Sequence, residues 1–510
     1  MLLFASASSA TIAGIDGVVV RVDVDVAGGL PGLEIVGLAD PSVREARHRV
    51  RSALHNAGAG LPPRRITVNL SPASLHKEGP QMDVGIAAGI LAASGQVPTG
   101  PRLTGYCFLG ELALDGAVRP VKGVLAMVLA AAGAGLKGAV VPRENQGEVA
   151  FLSGLDLLAA GSLAELAGFL RGASDLPMVE SGVAVEHAGA NGTVDFADIR
   201  GQGTAKRAIE VSCSGGHNVL MSGPPGAGKS MLARAMPGIL PELTQEESLV
   251  VTRIHSVAGI LPEGQGLVRA RPFRAPHHTA TASALVGGGV SPRPGEVTLA
   301  HRGVLFLDEL PLFPPSVLNA LRQPLEDGET VVTRSRATHR FPSRFLLAAA
   351  MNPCPCGYYG DDLRSCTCTE YARKQYAARI SGPLRDRMDL FVEVSRVSAA
   401  DLLGASPETS ACVRERVRLA RQRQEHRLHG SGMTCNSEMG PSQVTSLVSV
   451  SSAARKLLLD AFKSFGLSAR AYYRVLKVAC SIADLADSPR VEEEHVAEAL
   501  SYRQRLAGEE

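Results

Sequence analysis

The sequence predicts an α/β protein in which a parallel sheet lies between helices, preceded by an α+β domain and followed by helices alone. Three observations carry this. The short apolar run Asn218-Val219-Leu220-Met221 enters the glycine-rich GPPGAGKS and then a helical MLARAM. Two further apolar runs, Val304–Leu307 in VLFLDEL and Phe345–Ala350 in FLLAAAMNP, recur between helical patterns, as a doubly covered parallel sheet requires. Beyond about Arg396 the pattern is helical throughout.

The 510 residues are too many for one hydrophobic core and suggest roughly two to four domains. Residues 1–170 alternate Val/Ile-rich runs such as GVVVRVDVDV and ITVNLSP with Ala-rich helical stretches, which gives the α+β domain. The opening MLLFASASSA has no preceding Lys or Arg and reads as a first strand, not a signal peptide. Gly123–Leu136 is apolar but short of the roughly 18 residues that span a bilayer, and reads as a buried helix. Residues 171–195 are rich in Gly, Ser and Ala without periodicity and form a linker. The parallel-sheet core occupies 196–396, a helical connector 397–445 and a terminal helical domain 446–510.

Composition narrows the function. A net charge of +2 excludes attraction to anionic partners through bulk charge, so any nucleic-acid contact has to come from a local patch. Nine cysteines, five scattered and four clustered at 354–368, are not a secreted disulfide framework. A cytoplasmic protein without a membrane anchor is expected.

Gly223-Pro224-Pro225-Gly226-Ala227-Gly228-Lys229-Ser230 matches the phosphate loop G-x-x-x-x-G-K-[ST] in its strand–loop–helix setting. Its glycines let backbone N–H groups curl around phosphate oxygens, and the following helix adds its positive end. Lys229 supplies charge to the terminal phosphates of ATP, and the Ser230 hydroxyl ligates Mg²⁺. Asp308 and Glu309 stand at the C-terminal tip of a buried strand, where Asp308 holds the Mg²⁺ shell and Glu309 polarises the attacking water. Asn352, at the next strand tip, is placed to hydrogen-bond the γ-phosphate or the water.

In order, DFADIRGQ, GPPGAGKS, RPFRAPHHT, LVGGG, VLFLDELPLF, LRQPLEDG, AAAMNPCPCGYYGD, ISGPLRDRMDL and LSARAYYRVLKVACSIADL resemble the magnesium-chelatase-like AAA+ ATPases of the ComM/YifB family over nearly the whole chain. The resemblance implies a homo-hexameric ring with ATP at subunit interfaces. It also implies DNA as the partner, single-stranded, duplex or branched, during recombination and natural transformation, alongside other recombination proteins. It places the arginine finger on Arg387, with Arg385 a second candidate. Arg470 takes the sensor role of the helical lid at 446–510, and Arg474 lies one turn on. A chelatase motor that drives Mg²⁺ into a porphyrin is the alternative.

Residues 1–170 resemble the proteolytic domain of Lon, most strongly over GELALDGAVRPVKGVLAMVLAAAGAGLKGAVVP. Where that family has its Ser and Lys, this chain has Gln81 and Leu125, and Lys122 is displaced by three residues, so a non-proteolytic platform is expected.

ETVVTRSRATHRFPSRF reads as a β-hairpin with Arg334 and Arg336 near its tip and Arg340 behind, suited either to DNA phosphates or to plain solvation. Ala270–Ala300 reads as a second insertion, and Arg414–Arg427 as a basic helix with a solvated or intersubunit face. Cys354, Cys356, Cys366 and Cys368 could close a tetrahedral Zn²⁺ site, with reduced free thiols the alternative.

Overall fold

A computed structural model describes residues 3–38, 40–180, 194–289, 292–334, 337–361, 363–397, 408–464 and 468–503. The chain divides into two compact units. The first comprises Met1–Ala188, Gln245–Val268 and Thr333–Arg340, and the second the remainder.

In the first unit β1 (Phe4–Ala13), β2 (Asp16–Ala27), β3 (Gly32–Val36), β4 (Arg65–Ser71), β5 (Tyr106–Phe108), β8 (Gly138–Pro142) and β9 (Asp156–Ala160) form one mixed sheet ordered β3-β4-β2-β1-β5-β8-β9. The minor strands β6 (Glu111–Leu112) and β7 (Val118–Arg119) pair with each other. In β2 the alternate residues Val20, Val22, Val24 and Val26 are buried while Arg21 and Asp25 face solvent, the period of two that fixes register. Every residue of the helix Asp83–Ala93 is buried, which explains a sequence with no polar face.

Gln81 and Leu125 carry no hydrolytic pair. Gln81 is buried and its Nε2 donates to Thr11 Oγ1 at 3.0 Å, while Leu125 is a core residue whose N–H donates to Glu148 at 2.8 Å. The helix Gln245–Ala258 belongs to this unit despite its place between core elements. Arg253 pairs with Asp16 at 2.9 Å, and Ser256 O accepts from Gly123 N at 3.1 Å.

The second unit holds the parallel sheet β11 (Phe273–Arg274), β12 (Val304–Leu307), β15 (Leu346–Met351), β10 (Val219–Ser222) and β16 (Leu390–Glu393), in that spatial order. β10, β12 and β15 are almost fully buried, as apolar runs without alternation demand. The expectation of a second insertion over Ala270–Ala300 is corrected in part. Phe273 and Arg274 pair with Val304 and Leu305 and form the sheet edge; a two-residue strand carries too little pattern to register in sequence. β13 (Glu329–Arg334) and β14 (Ala337–Pro342) pair as a separate two-stranded sheet.

The basic helix Ser410–Leu428 keeps a solvated face at Glu415, Arg418, Gln422 and Glu425, and turns other arginines inward. Arg416 pairs with Glu210 at 2.6 Å, Arg414 donates to Gly238 O at 2.7 Å, Arg421 to Cys213 O at 2.9 Å, and Arg427 pairs with Asp484. These four arginines tie the helix to the core and to the terminal helices.

Candidate nucleotide site

The site forms at the C-terminal ends of three adjacent parallel strands. Ser222 of β10 pairs in register with Met351 of β15, and Leu307 of β12 with Ala349. The chain leaves β10 at Gly223, whose N–H donates to Met351 O at 3.3 Å. A Cβ on Gly223 would lie 2.1 Å from Val394 O, so only glycine fits there. Gly228, at φ +93°, turns the loop into the helix Lys229–Ile239.

Lys229 is 8% exposed. Its Nζ donates to Gly223 O at 2.6 Å, Pro224 O at 3.0 Å and Asn352 Oδ1 at 3.2 Å. Burial pulls its ammonium below the ordinary lysine range, and the negative charges of Asp308 and Glu309 oppose that pull. Ser230 Oγ donates to Asp308 Oδ2 at 2.8 Å, which puts a hydroxyl and a carboxylate side by side, a donor pair suited to Mg²⁺. Asp308 Oδ1 accepts from the Glu309 N–H at 2.9 Å.

Glu309 holds a left-handed backbone at φ +51°, a conformation that costs about 1–3 kcal/mol in a non-glycine residue and recurs at functional sites. Its carboxylate is half exposed and lies 3.5 Å from His278 Nδ1.

Three contributors escaped sequence reasoning. His278 reaches Glu309 from the loop after β11 and stacks on His277 with ring centroids 4.1 Å apart. Gln202, itself at φ +58°, donates from Nε2 to Ala227 O at 3.1 Å and pins the loop from outside. Tyr376 is 8% exposed and packs in the same buried cluster as Met351, the residue before Asn352. The signal for Gln202 was present in DFADIRGQ, but a lone glutamine has no spacing rule that marks it.

Arg387 is not brought to this chain's own phosphate loop. Its carbonyl accepts from Asn218 Nδ2 at 3.0 Å, just before β10 begins, so about 13 Å of strand separates it from the loop. The side chain pairs with Glu326 and donates to Pro383 O at 3.1 Å. Burial pulls its pKa down, and the positive charges of Arg474, Arg322 and Arg470 add to this. Arg336 and the side chain of Arg334 lie outside the described residues, while Arg340 is exposed on β14.

The four clustered thiols converge. Their Sγ atoms all lie within 4.8 Å of one another, and Cys354 is 3.3 Å from Cys356 and 3.6 Å from Cys366. Among the described residues, no other group of three or more His, Cys, Asp or Glu converges in this way, His277 and His278 included. Among the same residues, no helix is long and apolar enough to cross a membrane.

Residues 195–402 match the family described as "Magnesium chelatase, subunit ChlI", residues 22–145 that described as "Subunit ChlI of Mg-chelatase", and residues 407–503 the C-terminal domain "Magnesium chelatase, subunit ChlI C-terminal". The chain is 43% identical over 501 residues to an uncharacterized protein of Mycobacterium tuberculosis, covering 98% of each. It is 42% identical to competence protein ComM of Haemophilus influenzae over 96% of this chain and 95% of the relative, and 41% identical to YifB of Escherichia coli over the same shares.

Proposed function

The chain belongs to the ComM/YifB family of magnesium-chelatase-like AAA+ proteins, and from that premise we propose that it is an ATP-driven DNA motor working as a ring of six copies. The observation that carries the reading is the split between Lys229, Ser230, Asp308 and Asn352 at one end of the sheet and Arg387 at the other. A chain arranged this way has nearly all of a hydrolytic site, and the missing arginine would come from a neighbouring copy.

ATP and Mg²⁺ are the cofactors. Lys229 would exchange the carbonyls of Gly223 and Pro224 for phosphate oxygens, the same hydrogen-bonding demand met by a new acceptor. Ser230 and Asp308 would hold Mg²⁺, which neutralises phosphate charge when bound. Glu309 polarises the attacking water, and Asn352 orients it from the adjacent strand tip. Arg387 offsets charge developing in the neighbouring copy's site.

DNA is the track, gripped by the β13–β14 hairpin, and the resemblance to a competence protein suggests recombination of incoming DNA. The test is ATP-dependent branch migration of a synthetic four-way junction, lost in Lys229→Ala. The chelatase descriptions of the matched families favour a second reading, a motor for metal insertion into a porphyrin. Under that reading the junction stays unmoved and turnover does not respond to DNA.

A further inference from the structure

We propose that Cys354, Cys356, Cys366 and Cys368 bind one Zn²⁺, and that this ion holds the loop after β15 against the phosphate loop and so sets nucleotide affinity. This rests on Gly223–Ser230 being the nucleotide site.

The thiols are spaced for a metal rather than for each other. Sulfur–sulfur separations of 3.3, 3.6 and 3.6 Å are far longer than a disulfide of about 2.05 Å. They approach the edge of roughly 3.8 Å that a tetrahedron with Zn–S near 2.3 Å requires. Backbone N–H groups already point at the sulfurs: Cys356 N donates to Cys368 Sγ and Cys368 N to Cys366 Sγ, both at 3.4 Å. A four-sulfur set leaves no open position, so the ion would be structural, and its binding would release the thiol protons.

What the ion would hold is visible in the loop's neighbours. The loop starts at Asn352, whose side chain receives the Lys229 ammonium. Gly357 lies between the two pairs of thiols with φ +88°, and a Cβ there would sit 2.8 Å from Pro225 Cδ. The loop therefore rests directly on the phosphate loop at a position only glycine permits. On its far side Cys368 O accepts from Arg373 at 3.2 Å, and Thr369 caps the helix Glu370–Ala378. That helix returns Tyr376 to the buried cluster that also holds Met351, the residue before Asn352. The loop thus closes a circuit that begins at Asn352 and returns to its neighbour Met351, and it has almost no hydrophobic core of its own. Closing it with a metal would replace the packing it lacks and keep Asn352 and Pro225 pre-organised for phosphate.

The experiment measures metal content and nucleotide binding together on full-length protein purified under reducing conditions. Metal analysis should give one zinc per chain, and Co²⁺ replacement should give the absorption of tetrahedral thiolate ligation. Removing the metal, or Cys356→Ser with Cys366→Ser, should weaken binding of a fluorescent ADP analogue by about tenfold. Gly357→Val should keep the zinc yet weaken the analogue similarly, which separates the contact with Pro225 from general unfolding of the loop. Protein without zinc, or with the thiols as disulfides, overturns the metal site. Full zinc in the wild type, with affinity unchanged either after that zinc is chelated away or in Gly357→Val, overturns the coupling. Failure of zinc-loaded wild type to bind the analogue would instead overturn the nucleotide reading, and with it the coupling.

Discussion

The Nζ of Lys229 lies 3.2 Å from Oδ1 of Asn352, so the charge of the phosphate loop and the polar tip of β15 meet although 123 residues separate them. The contact exists because β10 and β15 are hydrogen-bonded neighbours whose C-terminal ends stop in register. Every chemical role assigned to this site depends on that adjacency.

Glu309→Gln is expected to retain ATP binding and lose turnover by roughly 10²–10⁴-fold, because the charge of Lys229 and the pair Ser230–Asp308 remain while water activation is lost. His278→Ala is expected to lower kcat about tenfold with unchanged nucleotide affinity, since the imidazole 3.5 Å away orients the Glu309 carboxylate. Single-turnover hydrolysis alongside equilibrium binding checks both. Normal turnover in Glu309→Gln would remove it from the chemistry.

Arg387→Ala should reduce hydrolysis by about 10³-fold or more. Mixing Arg387→Ala chains with Lys229→Ala chains should restore part of the rate, since some sites would then combine an intact Lys229 with a neighbour's intact Arg387. Recovery on mixing two inactive proteins is the expected result. Its absence would mean that both residues serve one chain.

Replacing Arg334 and Arg336 together by Ala should leave basal hydrolysis intact and reduce its stimulation by DNA. The slope of log affinity against log salt should shrink by up to roughly 0.7–0.9 per lost phosphate contact. An unchanged slope with normal branch migration would exclude the hairpin as the grip.

Acid should weaken the core through His301. It is buried, its Nδ1 accepts from Arg344 N at 3.1 Å, and burial together with the nearby charges of Arg302 and Arg344 pulls its pKa down to about 3. The folded state refuses a proton that the unfolded chain takes below about 6.5, so stability is full above that pH and falls as pH drops toward 3. At pH 5 the loss is about 2 kcal/mol. His301→Asn, which keeps an acceptor for Arg344 N, should show a correspondingly smaller loss between pH 7 and pH 5 in denaturant unfolding.

The sequence was most legible where one residue type can do the job. GPPGAGKS, the buried VLFL before Asp308–Glu309, and the strand before Asn352 each carry a pattern that geometry forces, and the fold places them side by side. It was least legible where function depends on what lies opposite. Arg416 and Arg427 read as solvated in sequence, yet Glu210 and Asp484 lie across from them. His278 reads as part of an insertion in sequence because the edge strand that precedes it is two residues long. The separation of Arg387 from the phosphate loop follows from Asn218 at the opposite end of β10, which no local pattern announces.

The steady-state ATPase rate of the full chain, without DNA and with single-stranded, duplex and four-way DNA, each beside Glu309→Gln, decides whether it is a DNA motor. A DNA motor with this site should hydrolyse ATP, respond to at least one DNA form with a several-fold rise, and lose both rates in Glu309→Gln. An ATPase rate that is the same with and without every DNA form would contradict the account.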